Sequence, residues 1–214
     1  MFLRHLYDHS PFRGLAAVAG LFLALSACHQ KNSSGTAGIS TPADSTQKNY
    51  FPVPDIIRAE IRYVDSMPLA ILKCATAGNH TDSSFIKPDE FHRLAQEFIV
   101  PELAKENFET KYTETSFMDE TSGFMTFTYA PRDRDQALQR VDVLVTPAAA
   151  GNGTDQIKSI YLQTSRSSAD TLIVKKMLWM AKKSMLIVTS LETHVSAPVT
   201  RQVKVVWDAS PAEQ

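Results

Sequence analysis

The sequence predicts an α+β domain, with two N-terminal helices packed on a curved antiparallel meander sheet of about six strands. Three observations predict it. Between residues 50 and 101 the apolar residues recur at spacings of three and four. From Phe108 onward their period shortens to two. Clusters of turn-forming residues divide that second region at short intervals. A period near 3.6 marks a helix with one buried face, and a period of two marks a half-buried strand.

The first helix rests on Val53, Ile56, Ile57, Ile61 and Val64. Pro54-Asp55 suits its first turn, where a missing N–H costs nothing and a carboxylate meets the positive helix end. Pro68 ends it. LAILKCAT, residues 69–76, reads as a short buried strand, which puts Cys74 in the core. Gly78 to Ser84 read as a loop. Lys87-Pro88-Asp89-Glu90 opens a second helix, and Phe91, Leu94, Ala95, Phe98 and Ile99 form its apolar stripe until Pro101 interrupts the pattern.

In the second region Met125, Phe127 and Tyr129 alternate with threonines. Val141, Val143 and Val145 share one face, as do Ile160 and Leu162. Leu172, Val174, Leu178 and Met180 share another, and Val203, Val205 and Trp207 close the series. One polar and one apolar face per strand implies a sheet covered on one side only, with the two helices as the cover. This order of elements broadly resembles cystatin-like and NTF2-like folds, a likeness of topology alone.

Composition adds bounds. The chain has 214 residues, 43% hydrophobic and 21% charged, with a formal net charge of −1. That suits one ordinary globular domain, and a near-neutral chain has no basic footprint for nucleic acid. Cys28 and Cys74 are the only cysteines, without the paired spacing of a zinc or thioredoxin-like site.

The N-terminus carries an address. Arg4, His5, His9 and Arg13 give a positive start, and GLAAVAGLFLAL, residues 14–25, follows. A run of that length is too short for a hydrocarbon core that needs about 20 residues. It fits the apolar region of a secretory signal peptide. Leu25-Ser26-Ala27-Cys28 then resembles the lipobox of bacterial lipoproteins. The resemblance implies that residues 1–27 are removed and that Cys28 is lipidated. It implies a membrane partner through that lipid anchor. His29, in place of an aspartate, implies the outer membrane, and the lack of an acidic cluster after Cys28 implies its periplasmic face. Ordinary signal cleavage, after Ala27 or near Ala17-Val18-Ala19, would instead leave a free thiol near the terminus.

Residues 28–49 form the lipidated cysteine and a flexible tether, since Ser, Thr, Gly and Asn dominate and Ile39 is the single large aliphatic. Some 20 such residues reach about 25 Å on average. Residues 50–208 make the α+β domain, and 209–214 a C-terminal tail.

Catalytic signatures are few. GxSxG, HExxH, GxGxxG and Walker-type patterns are absent, and Gly151-Asn152-Gly153-Thr154 reads as a hairpin turn. No cofactor or metal is expected. His92 borders the second helix stripe and reads as structural unless the fold brings a carboxylate to it. Glu109, Glu114, Asp119 and Glu120 read as a solvated strand face and turn. Lys175, Lys176, Lys182 and Lys183 flank Trp179, a basic aromatic stretch suited to headgroups or an acidic partner. Alternatively, Trp179 packs beneath the lysine stems. The expectation is a non-enzymatic, tethered interaction or assembly protein of the envelope, with an envelope protein as partner. A carrier of an apolar small ligand between sheet and helices is the alternative, and an enzyme with dispersed catalytic residues the third.

Overall fold

The computed structural model describes residues 50–68, 70–104, 108–148 and 153–208. The lipobox, the tether and the C-terminal tail lie outside the described residues.

The expectation of two helices on six strands is overturned, and with it the likeness to cystatin-like and NTF2-like folds. The protein is mainly β: among the described residues nine antiparallel strands form one sheet, with three short α-helices. Helix α1 (Val53–Ser66) comes first. A hairpin of β1 (Ile71–Ala77) and β2 (His80–Ile86) follows, then α2 (Pro88–Ala95). Two 3₁₀ turns, Gln96–Phe98 and Pro101–Ala104, lead to α3 (Phe108–Lys111). The rest is a meander: β3 (Tyr112–Asp119), β4 (Phe124–Pro131), β5 (Leu138–Thr146), β6 (Gln156–Ser167), β7 (Thr171–Met180), β8 (Ser184–Thr193) and β9 (Val199–Val206). Strand β1 pairs with β9, so the order across the sheet is β2-β1-β9-β8-β7-β6-β5-β4-β3.

The uncounted strands have physical reasons. Strand β2, HTDSSFI, is an edge strand, exposed along nearly all its length. One ladder to β1 satisfies its backbone on that side, so it needs no apolar alternation. Gly78 supplies the left-handed turn residue before it, at φ 58°. Strand β3 is the opposite edge and carries Thr, Glu and Ser. Strand β8 supplies buried Met185 and Ile187, which the apolar runs read from the sequence passed over.

Directly paired residues in an antiparallel sheet share a face. The face under the helices carries Phe127, Val143, Ile160, Trp179, Met185 and Val205 in one row across β4 to β9. Phe91 and Phe98 press onto it: Phe98 meets the Trp179 ring edge-on with centroids 5.1 Å apart, and Phe91 meets Trp207 at 5.5 Å. The predicted stripe of α2 and its 3₁₀ extension is thus the cover of the core. The entry of the chain is pinned by aromatics as well, Tyr50 against Tyr129 at 5.2 Å and Phe51 against Phe127 at 4.8 Å. Burial pushes the Tyr112 hydroxyl up to about 12, with the Glu102 charge adding to it. Tyr129 is raised too, chiefly by burial, against a bond donated to its oxygen by the Phe51 N–H.

Two sequence expectations reverse at the level of side-chain direction. Leu172, Val174, Leu178 and Met180 do share a face, but it is the one away from the helices; Met177 and Trp179 between them are buried. Cys74 is not in the core. It is half-buried on that same outer face, paired across from Ser83, whose hydroxyl donates to its sulfur at 3.4 Å.

Candidate functional site

The lysine–tryptophan stretch does not form one surface patch. Trp179 is buried, and its indole N–H donates to Glu60 of α1 at 3.3 Å. The same carboxylate oxygen accepts the Lys182 backbone N–H at 2.7 Å. Glu60 therefore clamps the β7–β8 turn, where Lys182 holds the left-handed φ of 60°. The Lys182 ammonium stands 5.8 Å from the Tyr63 ring centroid. Lys175 faces the helices and pairs with Glu97 at 2.6 Å, whereas Lys176 points outward and is exposed. Lys183, in the same turn, accepts backbone bonds from Trp207 and Asp208. Alternation along β7 separates Lys175 from Lys176, as two-residue periodicity requires. Of the two readings of this stretch, the packed tryptophan agrees with the burial of Trp179, while Lys175 and Lys176 lie on opposite faces.

His92 does receive a carboxylate: its Nε2 lies 2.8 Å from Asp65. The pair joins α1 to α2 at the surface. Among the described residues no hydroxyl or thiol bonds to the ring. Asp119 accepts bonds from the Thr121 N–H and the Ser122 hydroxyl, which lower its pKa and shape the β3–β4 turn. Glu109 and Glu114 reach Tyr50 only as charges that help burial raise its pKa. No group of three metal-ligating side chains occurs among the described residues. No described helix is long and apolar enough to cross a membrane.

Two surfaces remain. The outer face of the sheet is the first. Register places Phe85, Leu72, Val206, Ser184, Met180, Ser159, Leu144, Thr126 and Phe117 in one row from β2 to β3. Phe85 is 74% exposed and Phe117 68%. Leu178 and Leu186 lie in the next row, with Lys204 beside them and Lys176 one row further on. Neither lysine forms an ion pair among the described residues.

The second is a cleft of about 380 Å³ on the helix side, between the link that joins the two 3₁₀ turns, Ile99 to Pro101, and strands β6 and β7. Ile173 and Met177 form its floor, and Arg166 and the Lys175–Glu97 pair its rim. Sequence reading missed it. The signal was there: Ile173, Lys175, Met177 and Trp179 share one parity along β7, and only the last two are buried.

Compared with family models, with curated proteins and with solved structures, the chain matches none.

Proposed function

We propose that the protein is an envelope lipoprotein, anchored through lipid on Cys28 in the periplasmic leaflet of the outer membrane, whose domain works as a non-enzymatic interaction module. The single observation that carries the interaction reading is the row on the outer face, six of whose nine residues are apolar, which no described helix covers. Apolar side chains left open on such a face are unusual for a chain that works alone. Exposed Lys176 and Lys204 beside it favour a protein partner with an apolar patch ringed by carboxylates. The densely packed aromatic core under α2 favours this over a carrier with a ligand held between sheet and helices. The anchor reading rests on Leu25-Ser26-Ala27-Cys28 at the end of the apolar run.

Photo-crosslinking from position 117 or 85 in intact envelopes tests the module. The same partner should be captured from both positions and not from the helix side. Phe117→Asp should abolish the capture while the thermal melt stays put, and added salt should weaken it. Equal capture from both faces, or capture indifferent to Phe117→Asp, would sink the reading. For the anchor, Cys28→Ser should move the protein from the membrane to the soluble fraction; unchanged membrane residence overturns it.

A further inference from the structure

Among the described residues the helix side of the sheet is not covered to its end. Beyond the cleft, Arg166 of β6 pairs with Ile173 of β7, Ile173 with Leu191 of β8, and Leu191 with Val199 of β9. These four side chains therefore form one row on the face that the helices occupy further along. Leu191 is 36% exposed and Val199 45%, where the equivalent positions two residues further in, Thr189 and Arg201, form a polar row with Lys175. Three adjacent strands at about 4.8 Å spacing give an apolar strip roughly 10 Å wide, continuous with the cleft floor.

Charge is distributed with equal order. Lys175 is neutralised by Glu97. Arg166 and Arg201 form no ion pair among the described residues, and both are exposed. The site thus joins an apolar strip and cleft to the Arg166 guanidinium, which has donors to spare. A guanidinium matches a carboxylate or phosphate with two parallel hydrogen bonds. A cleft of about 380 Å³ lies within the range of small-ligand sites.

The geometry points to a binding site for a single-chain anionic amphiphile, its alkyl chain against Ile173, Leu191 and Val199 and its acidic head on Arg166. Arg201, on β9 beside Val199, flanks the far end of the strip, three strands from Arg166. The chemistry shared by a fatty acid and a phosphate-headed lysolipid is what this site recognises. It lies on the face opposite the proposed docking row and does not depend on the anchor.

The test uses the full chain carrying Cys28→Ser, so that no acyl chain of its own competes. Dodecanoate, dodecyl phosphate and dodecanol, each below its micellar concentration, are titrated by calorimetry, with methyl NMR shifts as the second readout. The two anions should bind and perturb the methyls of Ile173, Leu191 and Val199. Dodecanol should bind at least about tenfold more weakly, for want of the charge-assisted bonds. Arg166→Gln should remove that difference, and Leu191→Asp should weaken both anions, each leaving the thermal melt in place. Tighter binding of dodecanoate than dodecyl phosphate marks a fatty acid as the source, and the reverse order a phosphate-headed lipid. Equal binding of dodecanol and dodecanoate, affinity unchanged by Arg166→Gln, or methyl shifts confined to the outer face would each overturn the proposal.

Discussion

The helix side of this sheet has two ends that differ in kind. At one, Trp179, Phe91, Phe98 and Trp207 interlock with centroids 5.1–6.4 Å apart, and Trp179 is capped by Glu60. At the other, the same strands carry Ile173 in the cleft and Leu191 and Val199 without a cover among the described residues. Strand chemistry is similar at both ends: β-branched and aliphatic residues alternate with polar ones. What differs is the cover. Alternation therefore reports which side chains could be buried, and the reach of α2 decides which are. The covered end supplies stability, and the open end is left for a ligand.

The comparison breaks most visibly at Trp179. Trp179→Ala removes the centre of the aromatic cluster and should cost about 3–5 kcal/mol. Leu191→Ala, an aliphatic truncation on the same face of the next strand, should fall within about 0.5 kcal/mol of the parent, as surface changes do. Urea melts of the two variants measure the contrast. A loss at Leu191 that rivals the loss at Trp179 would mean that the open end is packed.

Next in size is the cap. Glu60→Ala leaves the buried Trp179 indole N–H and the Lys182 backbone N–H without their acceptor. An abandoned buried donor costs about 1–3 kcal/mol. Glu60→Gln keeps an acceptor oxygen and should recover most of the loss, which separates hydrogen bonding from charge. Equilibrium denaturation of the three proteins decides it.

Glu60 also shows where sequence reasoning ran out. Local signals survived folding: the helix over Val53–Ser66, the Pro88 start, the stripe through Phe98 and the inward valines of β5 all stand as read. The parity of Trp179 against Met180 could not be assigned without knowing which face the helices take. Strand β2 gave no alternation, because an exposed edge asks for none. The β1–β9 pairing joins residues some 130 positions apart, and no local pattern encodes it. The same distance hides the Glu60–Trp179 contact and the meeting of Glu97 with Lys175, 78 positions apart. The cleft is made of such long-range contacts, so it was the least legible part of the molecule.

Alkaline solution sharpens the contrast in another way. Tyr112 is raised to about 12 and Tyr129 is raised as well, both chiefly by burial at the covered face. Burial favours the neutral phenol in the folded state, so the unfolded chain releases these protons first. The contribution of Tyr112 is complete below the ordinary value of 10.0 and is lost as pH rises from there through about 12, and Tyr129 acts in the same direction. Denaturant midpoints should hold from pH 7 to 9 and fall between 10 and 12, with tyrosinate absorbance appearing together with unfolding. Tyr112→Phe should flatten the fall. At the acid side Glu90, lowered first by its bond from Lys73, acts in the opposite sense: its contribution is present above 4.5 and is lost as pH drops below that value.

The smallest expected effect lies at the border between the two ends. Lys175 Nζ and Glu97 Oε2 are 2.6 Å apart, and the pair ties the 3₁₀ turn to β7 beside the cleft. Both side chains keep about a third of their surface in water, so solvent screens the pair. A double-mutant cycle of Lys175→Met and Glu97→Gln should give a coupling of about 0–1 kcal/mol that shrinks as salt is added. That result keeps the border wet and the cleft accessible beneath Ile99. A coupling well above that range and insensitive to salt would describe a desolvated pair. The dry core would then extend to Ile173, and the division between a stabilising end and a binding end would have to move outward to Leu191 and Val199.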